Sequence, residues 1–120
     1  MLEGSCHCGA TRFETSAVPT ELTRCTCSFC SKRGALWHYV SPNHFRLATP
    51  IEAGTLYSPS NPENRHYFCG VCGCATFSET PDWSEPFDPR RRRIAISAHL
   101  FDDLDISALP LQVLDGKILW

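Results

Sequence analysis

Residues 65–78 read R-H-Y-F-C-G-V-C-G-C-A-T-F-S, and this stretch decides the fold. Its two arms, Arg65–Phe68 and Ala75–Ser78, contain the aromatic, β-branched and small residues that are typical of strands in a hairpin. Three cysteines separate the arms and therefore lie at the hairpin tip. Zinc ligands in β proteins commonly come from such tips, and C-x-x-C is a frequent ligand spacing. The stretch predicts a β protein with a metal site at its hairpin.

The eight cysteines of the chain fall into three clusters, of which this hairpin cluster is the last. Cys6 and Cys8 form C-x-C, whereas Cys25, Cys27 and Cys30 form C-x-C-x-x-C. Cysteines one or two residues apart are poorly placed to bridge each other, which favours metal ligation over disulfides. The first residues show no basic start followed by an apolar run, so we expect no signal peptide and a reducing compartment, the cytoplasm.

The spacing divides seven of these cysteines into two sites. The N-terminal and hairpin clusters each supply two sulfurs beside a glycine, and together they make a closed, structural zinc site. Its four predicted ligands are Cys6, Cys8, Cys69 and Cys72. The middle cluster presents three sulfurs from one local turn and lacks a fourth ligand nearby.

Cys74 leaves two interpretations of the middle cluster open. In the first, Cys74 completes a second closed site, a scheme that uses all eight cysteines. In the second, Cys74 is a small buried strand residue, and the middle zinc keeps one position open for water or a thiol. An iron–sulfur protein is a third interpretation of the cysteine count.

Composition predicts one globular domain over residues 1–120, because 42% of the residues are hydrophobic. The net charge of −2 gives no general attraction to nucleic acid, and no run has the roughly 20 apolar residues that span a membrane. Short β-prone segments such as Leu36–Val40 predict an all-β, mostly antiparallel fold with few short helical turns. We expect one helical turn over Cys27–Arg33, ended by Gly34, and an irregular tail over Asp102–Trp120.

Several other side chains have two interpretations each. His38 and His66 lie in strand-like runs, where each is either a proton carrier or a packed, hydrogen-bonded residue. The basic run Arg90–Arg93 follows several acidic residues, which favours a local ion-pair patch over nucleic-acid binding. We predict that Trp37 and Tyr39 are core residues.

Three motifs occur in a fixed order, at residues 4–10 (G-S-C-H-C-G-A), 25–30 (C-T-C-S-F-C) and 68–74 (F-C-G-V-C-G-C). With these motifs the chain resembles the family of glutathione-dependent formaldehyde-activating enzymes, which also includes centromere protein V. The resemblance implies a zinc-stapled β-tent fold with two Zn²⁺ ions, one structural and one catalytic-type with an open fourth position. The structural ion would be held by Cys6, Cys8, Cys69 and Cys72, and the catalytic-type ion by Cys25, Cys27 and Cys30.

The resemblance also implies a carbon–sulfur lyase-like activity, similar to that of an S-hydroxymethylglutathione synthase. A thiol such as glutathione would add reversibly to a small aldehyde such as formaldehyde and give an S-hydroxymethyl thiol. The thiolate is the nucleophile in such an addition, and zinc favours that form. We predict that Lys32 and Arg33 bind the carboxylates of glutathione. The alternative is a non-catalytic zinc module that binds glutathione or a protein partner.

Overall fold

A computed structural model describes residues 1–119, and short strands dominate it. The strands are β1 (Leu2–Ser5), β2 (Arg12–Thr15), β3 (Leu22–Cys25), β4 (Trp37–Val40), β5 (Phe45–Leu47), β6 (Gly54–Tyr57), β7 (Arg65–Cys69), β8 (Ala75–Pro81), β9 (Arg92–Ser97) and β10 (Leu111–Leu114). The helices are α1 (Ser28–Arg33) and α2 (Gly116–Leu119). Single 3₁₀ turns cover Pro42–His44, Ile51–Ala53, Ala98–Leu100 and Ile106–Ala108.

The strands form two sheets. The small sheet has the strand order β1-β2-β5, and the large sheet has the order β10-β3-β4-β9-β8-β7-β6. All neighbouring strands pair antiparallel except β10 and β3, which pair parallel. The predicted all-β, mostly antiparallel class is confirmed, while the single-domain organisation stays a prediction. Within residues 1–119, no helix has the length and apolar character needed to cross a membrane.

The main core lies between the two sheets. Phe13 of β2 reaches across from the small sheet and contacts the inner face of the large one, where β4 and β9 alternate apolar residues. Full burial of each such side chain stabilises the fold by about 1.5–3 kcal/mol. The buried members of this core are Phe13, Leu22, Val40, Phe77, Ile94, Ile96, Ala98 and Phe101.

The opposite face of β4 and β9 carries a second, smaller apolar cluster. Successive side chains of a strand point to opposite faces, so Trp37 and Ala95 turn away from the main core. Helix α1 covers part of this face through Phe29, and Tyr39 packs at its margin. This face of the large sheet is where the middle cysteine cluster lies.

The hairpin and the short helix follow the sequence prediction. Strands β7 and β8 pair antiparallel, with Arg65 opposite Glu79. Cys69 ends β7, and Cys72 and Cys74 lie in the connecting turn. Helix α1 ends at Gly34, whose φ of 64° is the left-handed conformation that glycine adopts without strain. Both predictions depend on local residue spacing, and both are confirmed.

The predicted irregular tail is wrong in part, because residues 111–114 form β10. This strand pairs parallel with β3. None of the three strands β1, β3 and β10 was predicted. Each of these three strands has only four residues, which is too short for a clear alternating pattern. Their hydrogen bonds depend on partners that lie far away in the sequence. Trp120, the last residue of the predicted tail, lies outside the described residues.

Candidate metal centres and the adjoining cleft

The first candidate metal centre joins the N-terminal segment to the hairpin turn. Its four Sγ atoms, from Cys6, Cys8, Cys69 and Cys72, all lie within 4.8 Å of one another. The Sγ atoms of Cys6 and Cys8 are 3.7 Å apart, and those of Cys8 and Cys69 are 3.6 Å apart. Zinc bound tetrahedrally at about 2.3 Å from each sulfur would place the sulfurs about 3.8 Å apart. The four thiols therefore fit a closed zinc site.

Backbone N–H groups surround the sulfurs of this four-cysteine cluster. The N–H of Thr11 donates to Cys6 Sγ at 3.4 Å, and the N–H of Cys72 donates to Cys69 Sγ at 3.4 Å. Hydrogen bonds from the N–H groups of Cys74 and Cys8 lower the pKa of the Cys72 thiol to about 5. Such N–H donors stabilise thiolates and orient them toward a metal.

Two glycines make the turns that aim these sulfurs. Gly9 follows Cys8 with φ of 81°, and Gly73 follows Cys72 with φ of 82°. Only glycine adopts this conformation without strain, so both turns depend on the residue type. The glycine after each cysteine pair therefore makes a tight turn beside the candidate ligands.

The second candidate metal centre is built from six consecutive residues at the junction of β3 and α1. Cys25 ends β3, Cys27 is the N-cap of α1, and Cys30 lies inside the helix. Their Sγ atoms lie within 4.8 Å of one another. The N–H of Cys27 donates to Cys25 Sγ at 3.5 Å, and the N–H of Cys30 donates to Cys27 Sγ at 3.4 Å. Three thiols that converge in this way fit a zinc ion with one remaining position.

Trp37 connects this three-cysteine cluster to the large sheet. Its indole Nε1–H donates to Cys30 Sγ at 3.4 Å, while the ring is almost fully buried. Burial raises the pKa of the Cys30 thiol to about 12, so a metal ion would be needed to hold it as thiolate. Trp37 is thus a core residue, as predicted, and also a hydrogen-bond donor to a candidate ligand, which its sequence context did not indicate.

Cys74 does not join the three-cysteine cluster. It lies on the hairpin turn, where its backbone carbonyl accepts a hydrogen bond from the N–H of Cys69 at 2.9 Å. Within residues 1–119, no further cysteine, histidine or carboxylate has a ligand atom grouped with the three sulfurs. All eight cysteines are free thiols. The geometry favours the interpretation that leaves the middle site open. The prediction that Cys74 is a buried strand residue is wrong, because Cys74 is only half-buried and lies in the turn before β8.

A cleft of about 900 Å³ opens beside the three-cysteine cluster. All three cysteines contribute to its wall, together with polar and aromatic side chains from the sheet and loops. The lining residues are Cys25, Cys27, Ser28, Phe29, Cys30, Trp37, Tyr39, Pro59, Ser60, Asn64, His66, Thr80, Trp83, Arg93, Ala95, Leu114 and Lys117. A small molecule in this cleft would reach the open side of the candidate zinc site.

Strand register explains which side chains face the cleft. Tyr39 of β4 is opposite Ala95 of β9, Ala95 is opposite Ser78 of β8, and Ser78 is opposite His66 of β7. Residues opposite one another in neighbouring strands share a face of the sheet, so these four form one row. Ala95 and Ser78 are the two small side chains of the row, and both lie between Tyr39 and His66. The cleft therefore has two larger polar groups with space between them.

His66 and Tyr39 have distinct protonation properties. His66 Nδ1 lies 2.7 Å from Ser78 Oγ, and its ring centroid lies 4.1 Å from that of Phe29. Burial, together with the nearby charge of Arg33, lowers the pKa of His66, which favours the neutral ring at pH 7. Burial raises the pKa of Tyr39 to about 12, so its hydroxyl keeps its proton.

His38 is on the other face of β4 and does not line the cleft. Its Nε2 lies 2.6 Å from the carbonyl oxygen of Ala17, and burial lowers its pKa. Its ring packs 6.1 Å from that of Phe101 in the main core. Of the two histidines that the sequence singled out, only His66 is placed to act on a molecule in the cleft.

Lys32 and Arg33, the residues predicted to bind carboxylates, are in the last turn of α1 and do not line this cleft. Lys32 is exposed. Arg33 places its guanidinium carbon 4.7 Å from the centre of the Phe29 ring and borders a separate pocket of about 400 Å³, beside Tyr57 and Phe68. Their role as carboxylate-binding residues stays a prediction.

The C-terminal segment contributes a cation that the sequence did not reveal. Thr26, between two candidate ligands, donates from its hydroxyl to Asp115 Oδ1 at 2.7 Å. The backbone N–H of Lys117 donates to Thr26 Oγ1 at 3.2 Å, and the N–H of Thr26 donates to the carbonyl of Leu114 at 2.9 Å. These bonds attach the segment to the three-cysteine cluster and place Lys117 at the cleft.

The fold and the two thiol clusters define a class, the cysteine-rich antiparallel β proteins with two candidate metal centres. Within that class, the sequence model of the family described as glutathione-dependent formaldehyde-activating enzyme matches residues 1–107, and the chain belongs to this family. The resemblance seen in the three cysteine motifs is confirmed.

Two individual proteins are similar to the chain. A Halomonas elongata protein, which carries the provisional name glutathione-dependent formaldehyde-activating enzyme, is 35% identical over 99 residues that cover 74% of this chain. The chain spans 62% of the length of that relative. The crystal structure of a Rhodobacter sphaeroides protein superposes with a TM-score of 0.72 at 26% identity and covers 92% of this chain and 99% of the other.

Proposed function

We propose that the protein is a zinc-dependent, carbon–sulfur lyase-like enzyme. It adds a thiol such as glutathione reversibly to a small aldehyde such as formaldehyde and forms an S-hydroxymethyl thiol. The observation that carries this proposal is the convergence of Cys25, Cys27 and Cys30 on the wall of the cleft, without a fourth protein donor in the described chain. Family membership and the name of the Halomonas elongata relative support it.

The two candidate centres would have different roles. Cys6, Cys8, Cys69 and Cys72 would hold a structural zinc, because four thiols leave no position for a substrate. Cys25, Cys27 and Cys30 would hold the catalytic-type zinc. When bound there, zinc would favour the thiolate form of an incoming thiol and orient its sulfur in the cleft.

The residues of the cleft would then guide the addition. The thiol sulfur forms a bond to the carbonyl carbon, the carbonyl π bond breaks, and negative charge develops on the oxygen. The hydroxyl of Tyr39, which is protonated at neutral pH, would donate a hydrogen bond to that oxygen. His66, a neutral ring on the same wall, would accept the thiol proton at Nε2 and return it to the oxygen. Thiol and aldehyde atoms are all retained in the product, so the reverse reaction uses the same groups.

The free thiols support a cytoplasmic location. All eight cysteines are free, and a reducing compartment would keep the seven candidate ligands available for metal. We therefore place the protein in the cytoplasm. The partners that this function requires are a small thiol and an aldehyde, since the net charge of −2 provides no general attraction to nucleic acid.

Exchange NMR spectroscopy with ¹³C-labelled formaldehyde and glutathione tests the proposal. The zinc-loaded protein should increase the rate at which free and glutathione-bound formaldehyde interconvert, beyond the uncatalysed rate. Calorimetry under the same conditions should show glutathione binding. Binding without faster interconversion would instead support the non-catalytic module, and the absence of both would refute the assignment.

A further inference from the structure

Apart from the three cysteines, which would be thiolates in a zinc-bound centre, the charged residues that line the cleft are cationic. Among its lining residues are Arg93 and Lys117, but no aspartate or glutamate of the described chain. Surface regions of a protein with net charge −2 ordinarily include carboxylates, so a wall with two cations and no carboxylate is a feature to explain. An anionic molecule would be favoured in this cleft over a neutral or cationic one of the same shape.

Arg93 differs from its neighbours in the basic run. The other three arginines form ion pairs, so the predicted local ion-pair patch is confirmed for them. The pairs are Arg90–Asp88 at 3.1 Å, Arg91–Asp82 at 3.0 Å, and Arg92 with Glu63 and Glu79, each at 3.2 Å. Within residues 1–119, Arg93 has no carboxylate within ion-pair distance. Arg92 and Arg93 are consecutive in β9, so their side chains point to opposite faces of the sheet. Arg93 is on the face that borders the cleft, which accounts for the difference.

The Arg93 side chain is nevertheless held in place. Its Nε–H donates to Thr80 Oγ1 at 3.2 Å, and its guanidinium carbon lies 3.9 Å from the centre of the Tyr39 ring. These contacts use Nε and one face of the guanidinium group. The terminal Nη groups keep N–H donors for another partner, and their fork geometry matches the two oxygens of a carboxylate.

We propose that Arg93 is a specificity-determining residue that binds a carboxylate of the thiol substrate. The inference rests on the proposed function, because it takes the thiol sulfur to lie at the three-cysteine cluster. Tyr39 lies between these two regions, since it packs against Arg93 and also at the margin of the apolar cluster that contains Cys30. The substrate class is therefore a thiol that carries a carboxylate at some distance from its sulfur, and Lys117 adds positive charge to the same cleft.

Glutathione and its diethyl ester are matched probes for this inference, because they share the thiol and the peptide backbone but differ in the two carboxylates. Binding of both to zinc-loaded protein is measured by calorimetry, and binding at the metal by the absorption spectrum of cobalt-substituted protein. The wild type should bind glutathione more tightly than the ester. Arg93→Met should weaken glutathione binding by about tenfold or more, as expected for the loss of hydrogen bonds to a charged group.

Three comparisons keep the test specific. Arg93→Met should leave the affinity for the ester within about twofold, which also shows that the variant is folded, and Arg93→Lys should retain part of the preference for glutathione. Arg90→Met, in the same basic run, should change neither affinity. Equal weakening of both probes by Arg93→Met would make Arg93 a structural residue and overturn the inference. Equal affinity of the wild type for both probes would also overturn it, whereas failure to bind either probe would refute the proposed function itself.

Discussion

The two cysteine clusters offer the same ligand type in opposite chain arrangements. The four-cysteine cluster joins Cys8 to Cys69, which are 61 positions apart, whereas the three-cysteine cluster lies within six residues, from Cys25 to Cys30. Closing a long loop removes conformational freedom from the unfolded chain, so a metal at the first cluster would mainly stabilise the fold. A metal at the second cluster would restrict little of the chain, but it would face a cleft. Sequence separation thus supports the proposed division into a stabilising and a reactive centre.

The strongest test of this contrast is removal of a ligand from the four-cysteine cluster. Cys69 is fully buried, and its Sγ is one of the four convergent sulfurs. Structural zinc in small domains contributes about 10–16 kcal/mol, comparable to the whole stability of a domain of about 5–15 kcal/mol. We therefore expect Cys69→Ser to lose cooperative thermal unfolding, as followed by circular dichroism.

Cys74→Ser is the matched control for that variant. Cys74 is on the same turn but outside the four-cysteine cluster, so we expect its substitution to cost less than about 2 kcal/mol. A Cys69→Ser protein that unfolds at the wild-type temperature would show that the four-cysteine cluster does not stabilise the fold.

The second test removes a ligand from the three-cysteine cluster. Cys27 is the N-cap of the six-residue helix α1 and is half-buried, and serine is itself a favourable N-cap residue. Cys27→Ser should therefore change the free energy of unfolding by less than about 2 kcal/mol. Because it breaks one of the two candidate centres, it should remove one metal ion per chain and abolish glutathione binding.

Elemental analysis and calorimetry measure these two effects, with Ser31→Ala as the control, because Ser31 is exposed in the same helix and does not line the cleft. If Cys27→Ser lowered the unfolding temperature as much as Cys69→Ser, the proposed division between the two clusters would be wrong.

The third test concerns the cleft wall. Tyr39→Phe removes a hydroxyl that we assign to the developing oxygen charge, and loss of one such donor elsewhere costs about a hundredfold in rate. We expect formaldehyde exchange to slow by about tenfold to a hundredfold, while glutathione affinity stays within about twofold. Exchange NMR and calorimetry separate the two quantities.

Tyr57→Phe provides the comparison for this prediction. Tyr57 is in the same row of the sheet but borders the smaller pocket and does not line the cleft. Exchange rates that fall equally in both variants would remove the catalytic role of Tyr39.

The cysteine clusters, the hairpin and α1 could be predicted because their signals are local. A C-x-x-C spacing and a glycine such as Gly34 or Gly73 restrict the backbone within a few residues, whatever the rest of the chain does. The division into four and three sulfurs also followed from spacing, and the structure groups the thiols in the same way.

The cleft could not be predicted, because its wall combines side chains from segments that are distant in the sequence. Lys117 reaches it only because β10 pairs parallel with β3, and no local pattern marked that strand. In the sequence, Arg93 could not be distinguished from its neighbours in the basic run. Only the alternation of side chains along β9 places it on the cleft face. Lys32 and Arg33 were predicted from proximity in sequence to the middle cluster, but short separation in sequence does not fix the direction of a side chain.

The smallest expected effect concerns those two residues. It tests whether the carboxylate-binding residues are those close in sequence to the middle cluster or those that the large sheet places at the cleft. Lys32 is exposed, and Arg33 lies over Phe29 beside the smaller pocket. A double variant, Lys32→Ala with Arg33→Ala, should therefore change glutathione affinity by less than about threefold, since neither side chain lines the cleft beside the three-cysteine cluster. Calorimetry measures the glutathione affinity of this double variant and of Arg93→Met, so that the two losses can be compared directly. If the double variant lost about tenfold in affinity while Arg93→Met lost none, the carboxylate would bind at the end of α1, and the original sequence prediction would be right. The sulfur would then enter the three-cysteine cluster from the helix side, and Tyr39 would no longer lie beside the substrate carboxylate.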